Sequence, residues 1–157
     1  MTPHEQELLL WAQRLCAQQE VSLFGMQQRL TKRGATNAEC DTILAALEAE
    51  GFIDELRFAT AFVHDKFCFE KWGRMKIAYK LATNHHIDQT VTNKALLQLN
   101  AEEELQLLEG LLRGKVKENE PLTEELKMKL LRFSEQRGFT KTQFFTVLRR
   151  IKESTDE

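Results

Sequence analysis

The chain has 157 residues, of which 42% are hydrophobic and 29% charged, and its formal net charge is −2. This composition is typical of one soluble globular domain that is large enough to bury a core. No apolar run approaches the roughly 20 residues of a membrane-spanning helix, and the N-terminus lacks the basic residues of a signal peptide, so we expect a cytoplasmic protein with no membrane partner.

Apolar residues follow a helical spacing along almost the whole chain. Leu56, Ala59 and Phe62, for example, recur at three-residue steps and form one face of an amphipathic helix. No alternating run of β-branched residues indicates a strand, so the sequence predicts an all-α fold. The predicted helices, in chain order, cover about 5–19, 23–33, 37–49, 54–70, 74–83, 88–99, 102–118, 123–137 and 141–152.

The predicted helices group into three tandem three-helix repeats at about 5–50, 52–100 and 101–152. The segment 33–36, Arg-Gly-Ala-Thr, corresponds to Arg-Gly-Phe-Thr at 137–140, and the glycine in each is expected to end a helix. This alignment pairs Met26 with Leu130, Leu30 with Ser134, and Cys40 with Phe144. The second repeat has His85-His86 where the other two have glycine.

The middle of the chain carries the most recognisable pattern. It has Gly51-Phe52-Ile53-Asp54-Glu55 followed by Phe58-Ala59, and then Trp72-Gly73-Arg74 followed by Ile77 and Leu81. In this combination, and with Leu130–Phe133 and Arg137–Phe139 in the third repeat, the chain resembles the RecX family over roughly residues 5–152. The resemblance implies a single RecX-like domain over 1–157, in which three tandem three-helix, helix-turn-helix-like repeats form an elongated, curved array.

The resemblance also implies a function. RecX-like proteins bind the RecA–single-strand DNA filament and inhibit or disassemble it, which modulates DNA recombination, DNA repair and the co-protease activity of the SOS response. The expected partners are therefore the RecA filament and the single-strand DNA within or near it. The resemblance further implies a monomer, with no cofactor, no metal and no enzymatic activity.

Basic residues are concentrated in two windows. Residues 66–80 hold five basic residues and one acidic residue, and residues 127–152 hold eight basic residues and one acidic residue. By themselves such windows are best explained by solvated helix faces. The resemblance to RecX favours a filament-facing or DNA-facing surface. The candidate residues for this surface are Lys66, Lys71, Arg74, Lys76, Lys80, Arg132, Arg149 and Arg150.

Helical geometry separates these cations from the core. Lys76 and Lys80 fall on the helix face opposite Ile77 and Leu81. We expect Ile77 and Leu81 to be buried in the core, and we expect the same of Phe58 and Phe62. If the basic side chains project into solvent, replacing Arg74, Lys76 and Lys80 together with alanine should leave folding nearly intact.

The residues suggest no enzyme. There is no GxSxG, P-loop or HExxH motif, and the adjacent His85 and His86 have no ligand partner at a suitable spacing. Cys16, Cys40 and Cys68 are far apart, which favours reduced thiols over a disulfide framework. Two other functions remain open: a helix-turn-helix DNA-binding regulator, and a helical-repeat scaffold for another protein.

Overall fold

The computed structural model describes residues 1–155, which contain nine α-helices and no strand. The helices are α1 Pro3–Gln18, α2 Leu23–Lys32, α3 Asn37–Ala49, α4 Glu55–Cys68, α5 Arg74–His85, α6 Gln89–Leu96, α7 Ala101–Arg113, α8 Glu124–Gln136 and α9 Lys141–Thr155. The all-α class is confirmed, and each predicted helix overlaps an observed one.

Two helices end at least three residues earlier than predicted. The helix predicted at 88–99 ends at Leu96, where the amide of Leu99 donates to the carbonyl of Leu96 at 3.0 Å in a turn. The side chain of Asn100 then caps the start of α7 by accepting hydrogen bonds from the amides of Glu102 and Glu103. The helix predicted at 102–118 ends at Arg113, since residues 115–120 are mostly charged and offer no apolar stripe to bury.

The turns after α2 and α8 have the same geometry, as their sequences predicted. Gly34 and Gly138 adopt left-handed φ angles of 92° and 96°. In each turn the amide two positions beyond the helix cap donates to a carbonyl of the last helical turn, at 3.0 Å from Ala35 to Leu30 and at 3.0 Å from Phe139 to Ser134. Glycine is favoured in this motif because it has no Cβ to crowd the left-handed conformation.

The corresponding turn after α5 is formed without glycine. His86 takes the left-handed conformation, with φ 52°, and the amide of Ile87 donates to the carbonyl of Leu81 at 3.0 Å. The imidazole of His86 stacks on Phe24, with ring centroids 3.7 Å apart and planes inclined by 11°. This stacking offsets part of the cost of a left-handed non-glycine residue.

Two compact units can be distinguished, and the chain changes from one to the other within α4, within α5 and at the last residue of α6. The first unit comprises residues 1–62 and 80–95. Its core is formed by residues of α1, α2 and α3, including the fully buried Met26, Leu30 and Cys40. Phe58 and Phe62 were predicted to be core residues, but both are only half-buried, with ring centroids 5.0 and 5.1 Å from that of His85.

The second unit comprises residues 63–79 and 96–157, of which 63–79 and 96–155 are described. Its core is formed by α7, α8 and α9 and includes the buried Leu130 and Phe144. Ser134, the counterpart of Leu30 in the first repeat, is also fully buried. Its hydroxyl donates to the carbonyl of Leu130 at 2.8 Å, so its helix satisfies the polar group that replaces the leucine.

Candidate nucleic-acid interface

The segment between α4 and α5 forms a fixed turn that presents basic and aromatic side chains. Lys71 is in the left-handed region with φ 58°, and the next amide, that of Trp72, donates to the carbonyl of Lys66 at 3.0 Å. The side chain of Lys71 is exposed. The turn thus fixes the backbone from which the exposed side chain of Lys71 extends on the second unit.

The indole of Trp72 lies next to two lysines. The Nζ atoms of Lys66 and Lys76 are 5.0 and 4.5 Å from the ring centroid, within the range of a cation–π interaction. Trp72, Lys66 and Lys76 are all half-buried. The ring therefore concentrates two like charges at one site, with Glu70 the only acidic residue between positions 66 and 80.

A backbone contact joins this turn to the turn between α8 and α9. The amide of Gly73 donates to the carbonyl of Arg137 at 2.7 Å, and the amide of Met75 donates to the carbonyl of Gly138 at 3.1 Å. A Cβ atom at Gly73 would lie 2.5 Å from the carbonyl oxygen of Gly138, and a Cβ atom at Gly138 would lie 2.5 Å from the backbone nitrogen of Lys76. Glycine at both positions is what permits this close approach.

Arg137 reinforces the same junction through its side chain. Its Nη1 donates to the carbonyl of Glu70 at 2.8 Å and to that of Lys71 at 3.4 Å. Its guanidinium lies 5.3 Å from the ring centroid of Phe133, and the Nζ of Lys115 lies 4.3 Å from the same ring. Arg137 thus connects the turn at Glu70 and Lys71 to the ring of Phe133 and, beyond it, to Lys115, and these groups form one continuous region of the second unit.

We refer to this region as the Trp72 surface. It consists of Lys66, Lys71, Trp72, Lys76, Lys115, Phe133 and Arg137. A surface in which cations alternate with aromatic rings is suited to single-strand nucleic acid, because the cations attract phosphates and the rings offer stacking area to bases. Of its members, only Lys66, Lys71 and Lys76 were predicted from the sequence to face the filament or DNA.

Arg74 has a different place from the one expected. Its Nε and Nη2 donate to the two carboxylate oxygens of Glu104 at 2.9 and 3.1 Å, and the side chain of Glu104 is only 3% exposed. Gln143 also donates to Glu104, at 3.4 Å. The hydrogen bonds between Arg74 and Glu104 raise the pKa of Arg74. The expectation that alanine at 74, 76 and 80 leaves folding nearly intact is therefore wrong for Arg74, because removing it would leave a buried carboxylate unpaired.

The remaining candidates differ in how far they are already engaged. Arg150 forms a bidentate ion pair with Glu102, with both N–O distances 2.9 Å, and these hydrogen bonds raise the pKa of Arg150 and lower that of Glu102. Arg132 and Arg149 are exposed and form no ion pair within residues 1–155. Lys80 is half-buried and belongs to the first unit.

Neither a membrane-spanning helix nor a metal-binding group is found in the described part of the chain. None of its helices is long and apolar enough to cross a membrane. Residues 1–155 contain no group of three or more histidine, cysteine, aspartate or glutamate side chains arranged to hold a metal ion.

Comparison with known proteins supports the resemblance found in the sequence. Residues 54–96 match the family model of the RecX second three-helix domain, and they lie within the predicted second repeat. The predicted resemblance to the RecX family is confirmed. A search of curated proteins found no match.

Solved RecX structures share the fold of the chain. The crystal structure of RecX from Lactobacillus salivarius is similar with a TM-score of 0.81 and 14% identity, over 94% of this chain and 96% of that one. A crystal structure of a regulatory protein RecX is similar with a TM-score of 0.81 and 17% identity, over 92% of this chain and 71% of that one. Residues 54–96, which match the RecX family model, include Trp72, Gly73 and the lysines beside them.

Proposed function

We propose that this protein is a regulator of the RecA recombinase that binds the RecA–single-strand DNA filament and inhibits its growth or promotes its disassembly. The match of residues 54–96 to the RecX second three-helix domain carries this proposal. The protein would thereby limit strand exchange and the filament's co-protease activity. In this account it acts by binding, without catalysis, and no cofactor takes part.

The Trp72 surface supports a direct contribution to binding. A RecA filament presents both protein and DNA, and phosphates attract cations such as Lys66, Lys71 and Lys76. Arg132 and Arg149, exposed and unpaired within residues 1–155, extend the candidate contact surface along α8 and α9. Neither Arg74 nor Arg150 is equally available, because each is held by a carboxylate.

The net charge of −2 explains why binding should favour the filament over naked duplex. Acidic residues lie close to the basic ones, as at Glu102 beside Arg150, so the protein is dipolar and not uniformly basic. A dipolar surface is steered by a target of mixed charge and is repelled in part by a uniform polyanion.

We propose that Lys80, in the first unit, also faces the filament.

Equilibrium binding of the labelled protein tests this proposal directly. Filaments of RecA on single-strand DNA, the same DNA alone and a random duplex are titrated at low and at physiological salt. We expect tight binding to the filament, with an affinity that falls as salt rises, because the counterions that the protein's cations displace from the phosphates gain less entropy when they enter a more concentrated salt solution. Preferential binding to one duplex sequence would indicate a helix-turn-helix regulator instead, and no binding to filament or DNA would indicate a scaffold for another protein.

A pair of matched variants locates the contact. Lys71→Ala combined with Lys76→Ala removes two positive charges from the Trp72 surface, while Lys32→Ala combined with Lys94→Ala removes two exposed charges from the first unit. We expect the first pair to weaken filament binding and reduce its salt dependence, and the second pair to have little effect. Equal loss of affinity in both pairs would mean that only net charge matters.

A further inference from the structure

We propose that Trp72 is a stacking site for an unpaired nucleobase, so that the protein reads the single-strand character of the DNA in addition to its charge. This inference rests on the proposed function, because it names the group of the filament that the Trp72 surface contacts. It assigns a role to an aromatic side chain, where the proposed function requires only cations.

The arrangement of charges around the indole carries the inference. Both Lys66 and Lys76 have their ammonium groups within 5.0 Å of the ring centroid. In a nucleotide the phosphate and the base are held a few bonds apart by the sugar. A base that stacked on Trp72 would therefore place its phosphates close to ammonium groups that need to move only a short way from the ring.

The backbone that carries the ring is also fixed in place, which favours a stacking platform. The amide of Trp72 donates to the carbonyl of Lys66, and the next residue, Gly73, is joined by hydrogen bonds to the turn after α8. A rigid ring loses little conformational entropy when a base binds to it. A second aromatic side chain, Phe69, belongs to the same turn and is 73% exposed, which offers apolar area for a neighbouring base.

Trp11 provides a matched control within the same chain. It is the only other tryptophan, and the guanidinium of Arg33 lies 4.3 Å from its ring centroid, so it too is an indole with a cation over its face. Glu7, Arg14 and Arg33 line the same pocket as Trp11, and among the described contacts only Arg33 lies over the ring, so Trp11 has one cation on its face where Trp72 has two. A general effect of tryptophan–cation pairs on DNA binding would appear at both residues.

The experiment uses the fluorescence of Trp72 in a Trp11→Phe variant, in which Trp72 is the only tryptophan. The variant is titrated with a single-strand oligonucleotide of mixed sequence, with an abasic oligonucleotide of the same length, and with a duplex. We expect strong quenching by the single strand and little by the other two, because only unpaired bases can stack on the ring. Equal quenching by the abasic strand, or no quenching by any strand, would overturn the inference.

Affinity measurements on the full chain provide the second readout. Trp72→Leu should weaken binding to the mixed-sequence strand about tenfold or more, as expected for the loss of one stacked base, and should leave binding to the abasic strand nearly unchanged. Trp11→Leu should leave both affinities unchanged. If Trp72→Leu does not fold, Trp72→Phe retains a smaller ring and should show an intermediate affinity; wild-type affinity for the mixed-sequence strand in a folded Trp72→Leu variant would refute stacking.

The outcomes separate this inference from the proposed function. A protein that inhibits RecA strand exchange but shows no base-dependent quenching of Trp72 would refute the stacking site and leave the RecA regulator intact. Base-dependent quenching in a protein that has no effect on RecA filaments would support the stacking site and refute the function on which it was built.

Discussion

The ion pair between Arg74 and Glu104 gives the sharpest test of how the second unit is held together. We expect Arg74→Ala to destabilise the fold by about 2–3 kcal/mol, less than the cost for a fully buried ion pair, because the side chain of Arg74 is 36% exposed and water can partly replace it. The loss remains well above that of a surface cation because the side chain of Glu104 is only 3% exposed and, within residues 1–155, would keep one side-chain donor, the amide of Gln143 at 3.4 Å. Urea unfolding followed by circular dichroism measures the change.

Two controls assign that loss to the stranded carboxylate. Arg74→Ala combined with Glu104→Gln removes the buried charge and should recover a large part of the lost stability. Lys71→Ala removes an exposed cation from the adjacent turn and should change the free energy of unfolding by no more than about 0.5 kcal/mol. An Arg74→Ala variant as stable as the Lys71→Ala variant would refute this reasoning.

Three further predictions concern single features of the fold. The buried hydroxyl of Thr92 has no hydrogen-bond partner within residues 1–155, so Thr92→Val should raise the free energy of unfolding by about 1 kcal/mol in urea titrations, and a loss of stability would show that the hydroxyl is satisfied. His86→Gly should be more stable than His86→Ala by about 1 kcal/mol in thermal melts, because position 86 is left-handed; equal melting would contradict that conformation. The lowered pKa of Glu102 means that its pairing with Arg150 stabilises the fold above the ordinary carboxyl pKa of 4.5, and that this contribution is lost as the pH falls through the lowered value. Stability measured against pH should thus fall less on acidification in Glu102→Gln than in the wild type.

Much of the fold follows from local signals in the sequence. The turn at Gly34 and the turn at Gly138 could be predicted because the helix ends with arginine and then glycine in both, and the left-handed position needs no partner elsewhere in the chain. Ile77 and Leu81 could be predicted as core residues because helical periodicity places both on one face, and both are fully buried.

The site depended on contacts that no local pattern encodes. Arg74 and Glu104 are 30 positions apart, and Arg137 reaches the carbonyl of Glu70 across 67 positions. Which partner a long basic side chain selects depends on how the helices pack. Counting charges therefore selected Lys71, Lys76 and Arg74 alike, although Arg74 is held by a buried carboxylate. It also omitted Arg137, although its Arg-Gly-Phe element was already recognised as part of the RecX-like pattern.

The proposed inhibition of RecA is tested by RecA-catalysed strand exchange, followed in real time with increasing amounts of this protein. We predict that the wild-type protein inhibits strand exchange, and that the Lys71→Ala/Lys76→Ala variant requires a higher concentration for the same inhibition while the Lys32→Ala/Lys94→Ala variant does not. Strand exchange that proceeds at the same rate and to the same extent with excess folded wild-type protein would contradict the assignment of this protein as a regulator of RecA.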